Sequence, residues 1–280
     1  MKKSIYKEAK ECFTETEDAK YFIRLDQSTL FLEILKETIK KPLKMILLYG
    51  EPGIGKTMLL NKLYSDLSKK ERNIFLISNP ILDEEKFTTT LYRKLFFEEK
   101  DINFDKFIDL INQKLRFNST TVLLDEAQLY SSSQMEKIRI ISDTRKIKFV
   151  IALHKTDQED VIAKEHFKTR IWETIELKPP TLNELGIYIK KKLLMKNLFD
   201  IANQVDKNCI KFIYRYTKGN FRETNKFMYN LFEIYEYYEE SAPNKIDYRK
   251  ISKKFLEMCA IKLGYINVWD RRVRKEVEKI

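Results

Sequence analysis

The stretch Tyr49–Asn61, YGEPGIGKTMLLN, decides the fold, because it places three of the chain's six glycines within Gly50–Gly55, just ahead of a helix-forming run. Glycine lets a backbone take left-handed conformations and come close to a ligand. The spacing Gly50-x-x-x-x-Gly55-Lys56-Thr57 is the phosphate-binding loop pattern, and its context is the required one, an apolar strand before and a helix after. Backbone N–H groups turned inward, backed by the positive end of a helix dipole, hold phosphate oxygens. Gly50, Glu51, Pro52, Gly53, Ile54, Gly55, Lys56, Thr57 and Met58 are therefore predicted to wrap the phosphates of a nucleoside triphosphate. Lys56 is expected to reach the β and γ phosphates and to serve catalysis there, and the Thr57 hydroxyl to ligate Mg2+.

Working outward, Ser28–Lys40 carries Leu32, Leu35 and Ile39 on one helical face, with Ser28 as its cap and Pro42 beyond its end. KMILLYG (Lys44–Gly50), NIFLIS (Asn73–Ser78), TTVLLDE (Thr120–Glu126) and KFVIALH (Lys148–His154) are short continuous apolar runs. Such runs mark strands buried on both faces of a parallel sheet. Segments of helical periodicity separate them, Lys56–Lys69 first, and IWETIELKPP reads as a last strand closed by Pro179 and Pro180. Strand and helix in alternation predict an α/β fold, a doubly wound parallel sheet with flanking helices. From Thr181 on, TLNELGIYIKKKLL, KNCIKFIYRYT, NFRETNKFMYNLFEIYEYY and DYRKISKKFLEMCAIKL show only helical periodicity. The expected organisation is an α/β nucleotide-binding domain over residues 1–180 and an all-helical domain with a basic tail over 181–280.

A triphosphate loop needs an acid to hold the magnesium shell, placed at the end of a neighbouring buried strand. VLLDEAQ supplies it. Asp125 is predicted to position the hydrated metal and Glu126 to orient or deprotonate the attacking water. Adjacent carboxylates are costly in a plain core because like charges repel, so the pair points to hydrolysis as well as binding.

Composition narrows the classes. A chain of 280 residues can build one large core or two unequal ones. No stretch approaches the ~20 apolar residues of a membrane-spanning helix, and MKKSIYKEAKECF lacks the apolar region of a secretory signal, so a cytoplasmic location is expected. Cys12, Cys209 and Cys259 suit neither a disulfide framework nor a zinc ribbon, and His154 and His166 add too little for a histidine-based metal site. A formal charge of +11 raises nucleic acid as a partner, although lysine abundant throughout the chain also reads as a solvated surface. The tighter cluster Arg271, Arg272, Arg274 and Lys275 beside Trp269 is the better sign of such contact.

Together, Gly50–Thr57 and Asp125–Glu126 resemble the AAA+ ATPases, and the resemblance runs over almost the whole chain. It implies ATP and Mg2+, hydrolysis, a homo-oligomer, and a helical lid. The family's polar residue at the end of the strand after the acidic one falls at His154 in FVIALHKTD, where Asn, Ser, Thr or Gln is commoner. The resemblance makes His154 a sensor of the γ-phosphate; a strand-end histidine is the other reading, and Lys155 and Thr156 compete for the role. Arg170 in HFKTRIWETIEL lies where the family places an arginine finger acting on a neighbouring subunit's ATP, with a surface arginine as the alternative. KGNFRETNKF resembles the second-sensor motif, in which Gly219 opens a lid helix and Arg222 contacts the phosphates; Phe221 stands where proline is common. Adenine as the base follows from the resemblance, and Tyr21, Phe22 and Ile23 either pack on it or belong to the core.

The lead-in CFTETEDAKYFIRLDQSTLFLEILKETIKKPLKMILLYGEPGIGKT, the DEAQ tetrad and GNFRETN look like the ExeA/GspA-type secretion ATPases and the related TniB-like and Mu-type transposition ATPases. Without the membrane helix and peptidoglycan-binding region of the larger secretion members, a compact cytosolic ATPase is expected. The resemblance implies an ATPase that powers or assembles an envelope machine for secretion, pilus building or DNA uptake through protein contacts. The alternative is a DNA-binding ATPase that recruits a partner such as a transposase, although no helix-turn-helix or zinc finger is legible. A nucleotide-gated binding module with little turnover is a third.

Overall fold

The computed structural model describes residues 4–69, 73–155 and 169–267. Its contacts divide the chain into two units, one of Glu17–Lys178 and one of Met1–Thr16 with Pro179–Ile280. The chain opens with α1 (Ile5–Glu11), which belongs to the second unit.

The first unit holds the helices α2 (Asp26–Lys40), α3 (Lys56–Leu67), α4 (Glu84–Phe96), α5 (Phe104–Lys114) and α6 (Ser132–Asp143). Its strands are β1 (Met45–Gly50), β2 (Ile74–Ile77), β3 (Thr120–Leu124), β4 (Ile147–His154) and β5 (Ile171–Leu177), all parallel in the order β2-β3-β4-β1-β5. The continuous apolar runs have the cause expected of them, since β3 and β4 are buried almost end to end and alternate side chains leave on opposite faces. Ile46, Leu48, Leu123 and Val150 form one core with Leu35, Leu59 and Leu63 of α2 and α3. Met45, Leu47, Val122 and Phe149 form the other with Phe87, Phe107 and Ile138 of α4, α5 and α6. The predicted α/β sheet with flanking helices and a helical region after it is the observed architecture.

Two local features differ from or add to the sequence reading. Helix α2 begins at Asp26, not at Ser28, because the Ser28 hydroxyl accepts the Leu25 N–H at 3.0 Å from within the first turn. Strand β4 carries a charge into the core: Lys148 is 1% exposed, and its ammonium donates to the carbonyls of Ile39 and Lys41 at the end of α2. Orphan carbonyls at the negative end of a helix dipole offset the desolvation of that amine.

The helical unit adds α7 (Leu182–Leu194), α8 (Phe199–Gln204), α9 (Lys207–Thr217), α10 (Phe221–Ser241) and α11 (Lys253–Lys262) to α1. Residues 1–16, which the sequence reading assigned to the α/β domain over 1–180, belong here: Tyr6, Ala9 and Phe13 enter the core of Leu185, Ile213, Phe232 and Tyr235. Burial of that apolar face against α10 decides the placement, with the Tyr6 and Tyr235 rings 4.8 Å apart. The stretch ahead of α11, read from the sequence as helical, is not, because the Ile251 and Ser252 N–H groups donate to the Gln204 carbonyl and the Tyr235 hydroxyl. Among the described residues no helix is long and apolar enough to cross a membrane. The three cysteines are buried and free.

One charge in this unit sits uneasily. The Lys192 ammonium lies over the rings of Phe13 and Tyr188, 5.3 and 5.4 Å from their centroids, and donates to Asn225 Oδ1 at 3.1 Å. Burial drives its pKa down from 10.5 to about 8 against the opposing charges of Cys12 and Glu15. The folded value lies below the unfolded one, so the unfolded chain binds more protons between about pH 8 and 10.5 and stability rises with pH over that window. Below about pH 8 the destabilisation is complete. Lys192→Met is expected to stabilise the protein by about 1–3 kcal/mol at pH 7, with the gain shrinking towards pH 10. Denaturant unfolding of both proteins at the two pH values checks this, and a gain independent of pH would assign the effect to packing.

Candidate nucleotide-binding site

The site is built at the C-terminal edge of the sheet, where β1 runs into the glycine loop and the loop into α3. Gly50 is required by close approach: a Cβ there would lie 2.3 Å from Ile54 Cδ1 and 2.7 Å from the Leu177 carbonyl oxygen. Gly55 caps α3 at φ +95°, a left-handed conformation that side chains rarely adopt. Gly55 at the N-cap brings no side chain to the first turn of α3, and a helix N-terminus is where phosphate oxygens bind most readily. Glu51 and Pro52 are exposed, Ile54 is buried beneath the loop, and Gly53, Thr57 and Met58 are half-buried.

Lys56 is 5% exposed and folds back along the loop, its Nζ donating to the Gly50 carbonyl at 2.9 Å and the Glu51 carbonyl at 3.1 Å. Asp125, 1% exposed, ends the β3 run and accepts the Thr57 hydroxyl and, at 2.9 Å, the Glu126 N–H. Burial pushes its carboxyl above the ordinary value, aided by the Glu126 charge and opposed by the Thr57 and Glu126 hydrogen bonds and by Lys56. A buried carboxylate beside a hydroxyl supplies the hard oxygen donors that Mg2+ prefers, and a divalent cation would relieve the desolvation. The residues present fit that ion. Among the described residues no larger cluster of His, Cys, Asp and Glu offers a metal site.

Sheet register settles which polar residue ends the neighbouring strand beside the loop. His154 of β4 pairs with Gly50 of β1. Its Nε2 lies 3.3 Å from Glu126 Oε2, so the predicted sensor and the predicted base are brought together. Lys155 is turned away to an ion pair with Glu176 on β5, at 2.8 Å. Thr156 lies outside the described residues, as do His166, Trp269 and the Arg271, Arg272, Arg274 and Lys275 cluster. Of Tyr21, Phe22 and Ile23, Ile23 is buried and Phe22 packs on the α2 and α3 core, which favours the core reading for these two.

Arg170 is not brought to the loop of its own chain. It precedes β5 at the opposite edge of the sheet, about 20 Å of strand from Leu177, the residue that pairs with Gly50. Asp143 accepts its Nε at 3.3 Å and its Nη2 at 3.1 Å, and the same carboxylate takes Lys44 at 2.5 Å. Burial opposes ionisation of Asp143, but the bonds from Arg170 and Lys44 outweigh it and hold the carboxyl below its ordinary value. In the helical unit Gly219 takes φ +82°, where a Cβ would lie 2.7 Å from the Pro180 carbonyl, and Asn220 caps α10 through the Glu223 N–H. Arg222 follows in the first turn of α10, 60% exposed at its side chain and 3.4 Å from Glu15. The sequence reading missed the partners Asp143, Glu15 and Gln128; only Gln128 had a signal, its place in the DEAQ tetrad.

Residues 40–160 match the family described as an AAA domain. Over 92 residues the chain is 36% identical to Polyprotein-FSD of Solenopsis invicta virus 3, a match covering 33% of this chain and 2% of that protein. The chain thus spans a small fraction of that curated relative. Among solved structures it is similar to Drosophila ORC bound to DNA, at TM-score 0.65 and 14% identity over 94% of this chain and 67% of that one. It is also similar to the Thermotoga maritima RuvB Holliday junction branch migration motor, at TM-score 0.58 and 18% identity over 95% of this chain and 79% of that one. At such identities the likeness is one of fold.

Proposed function

We propose that the chain is an AAA+ P-loop ATPase, in line with its AAA-domain match and its fold, and that it binds ATP at Gly50–Thr57 and hydrolyses it with Mg2+. One observation carries the reading: Lys56, the Thr57 hydroxyl and the buried Asp125 carboxylate converge beside an N–H-lined helix terminus. The loop amides and the α3 dipole bind the phosphates, and Lys56 exchanges the Gly50 and Glu51 carbonyls for phosphate oxygens. Thr57 and Asp125 would hold Mg2+, which neutralises charge on the phosphates when bound. Glu126 takes a proton from the attacking water, and His154, at the strand end beside Gly50, donates towards the γ-phosphate.

Arg170 and Arg222 act beyond the loop's own unit. Arg170, released from Asp143, stabilises transition-state charge in a neighbouring copy of the chain, and Arg222, released from Glu15, reports nucleotide to the helical unit. The Arg222 pair is exposed at both ends, so it opposes that exchange only weakly. For what turnover drives in the cytoplasm, the lead-in segment, DEAQ and GNFRETN support an oligomeric ATPase that powers or assembles an envelope machine. The charge of +11 favours a second reading, a DNA-binding ATPase that recruits a partner such as a transposase.

Steady-state ATP turnover with and without duplex DNA, at low and near-physiological salt, separates the two. Stimulation by DNA that fades as salt rises is the expected signature of phosphate contacts that release counterions. Turnover indifferent to DNA at both salts supports the envelope machine.

A further inference from the structure

We propose that Gln128 is a positioning residue for Glu126, its amide fixing the carboxylate beside His154; this rests on the reading of Glu126 as the base. Gln128 Nε2 lies 2.5 Å from Glu126 Oε2 and 3.4 Å from His154 Nδ1, and His154 Nε2 lies 3.3 Å from the same Glu126 oxygen. The Gln128 amide donates one proton to Glu126 and turns the other towards His154 Nδ1, while the His154 Nε2 contact is one of proximity, because partners 2.5 Å apart do not both lie along the diverging nitrogen directions of one imidazole. Turning the amide over would set Gln128 Oε1 against a carboxylate.

Local structure builds the contact. Glu126 adopts φ +50° two residues after β3, and the single turn Ala127–Leu129 that follows folds Gln128 back over it. A left-handed glutamate costs of order 1 kcal/mol or more and persists where its surroundings over-determine it. Gln128 Oε1 is buried without a partner, so the amide is oriented by what its nitrogen donates to and not by its own carbonyl. The contact lies where the register puts His154 opposite Gly50, at the start of the glycine loop.

The arrangement sets the base and the strand-end histidine side by side. Gln128 is the donor that keeps the Glu126 carboxylate in place there, without itself touching water or ATP.

The test compares wild type, Gln128→Met, His154→Ala, their double variant and Glu126→Gln, all as full chains, by steady-state turnover, equilibrium ATP binding and thermal unfolding. Gln128→Met keeps the side-chain length and removes both donors. It is expected to lower kcat by about 10- to 100-fold, with ATP affinity within about twofold of wild type and an unchanged unfolding midpoint. The double variant should be no slower than its slower parent, because residues acting as a unit are not additive. Wild-type kcat in Gln128→Met, losses that multiply in the double variant, or a fall in affinity matching that in kcat would overturn the proposal. Full turnover in Glu126→Gln would instead remove the base that Gln128 is said to hold, and both readings would fall; a dead Glu126→Gln with an unaffected Gln128→Met sinks the positioning role alone.

Discussion

Lys56→Ala weakens ATP binding by roughly 30- to 5,000-fold, the effect of removing one partner from a buried charge pair worth about 2–5 kcal/mol. The ammonium is almost fully enclosed and donates to two carbonyls of the loop itself, Gly50 and Glu51, where phosphate oxygens would lie. Isothermal titration with ATP in excess Mg2+ measures the loss, and thermal unfolding of the same variant shows that the fold survives. Lys56→Arg is expected to recover little, because the planar guanidinium does not fit a cradle shaped around a compact ammonium. Full retention of affinity in the alanine variant would remove the phosphate-loop assignment and with it the proposed chemistry.

Glu126→Gln separates binding from turnover. A positioned general base contributes about 10²–10⁴-fold to rate, so kcat falls by that order while ATP affinity stays close to wild type, since Asp125, Thr57 and Lys56 are untouched. Quenched-flow measurement of phosphate release checks the rate, and a fluorescent ATP analogue checks the binding. Wild-type turnover would pass the role of base to another group and favour a nucleotide-gated binding module. The same variant tests Arg170. If Arg170 completes a neighbour's site, mixing Arg170→Ala with Glu126→Gln subunits restores part of the activity that each lacks alone, because some interfaces then pair an intact base with an intact arginine. No recovery on mixing would leave Arg170 in its observed role, the partner of Asp143 at the far edge of the sheet.

Most of the glycine loop was legible because its signal is local. The glycines, Lys56 and Thr57 are consecutive, and the apolar runs before them and before Asp125 reflect strands buried on both faces, which leave no alternation for polar residues to interrupt. His154 was half legible: a polar residue at a strand end is visible in KFVIALH, but whether it or Lys155 faces the loop depends on pairing. Gln128 was present in DEAQ and mute, because its reach back to Glu126 depends on a left-handed turn that no residue type there announces.

The sequence by itself determined the glycine loop between strand and helix, the five strands and the acid at the end of β3, since each follows from neighbours within a few residues and from the periodicity of burial. Only the tertiary structure decided the strand order that sets β4 beside β1 and His154 beside Gly50. It also decided that residues 1–16 pack with the helical unit, and that Arg170 lies at the far edge of the sheet in the grip of Asp143. These are outcomes of hydrogen-bond ladders and core contacts between segments far apart in the chain, where one apolar strand or short amphipathic helix can pair with any of several others. The choice among them is made by the whole packed core at once.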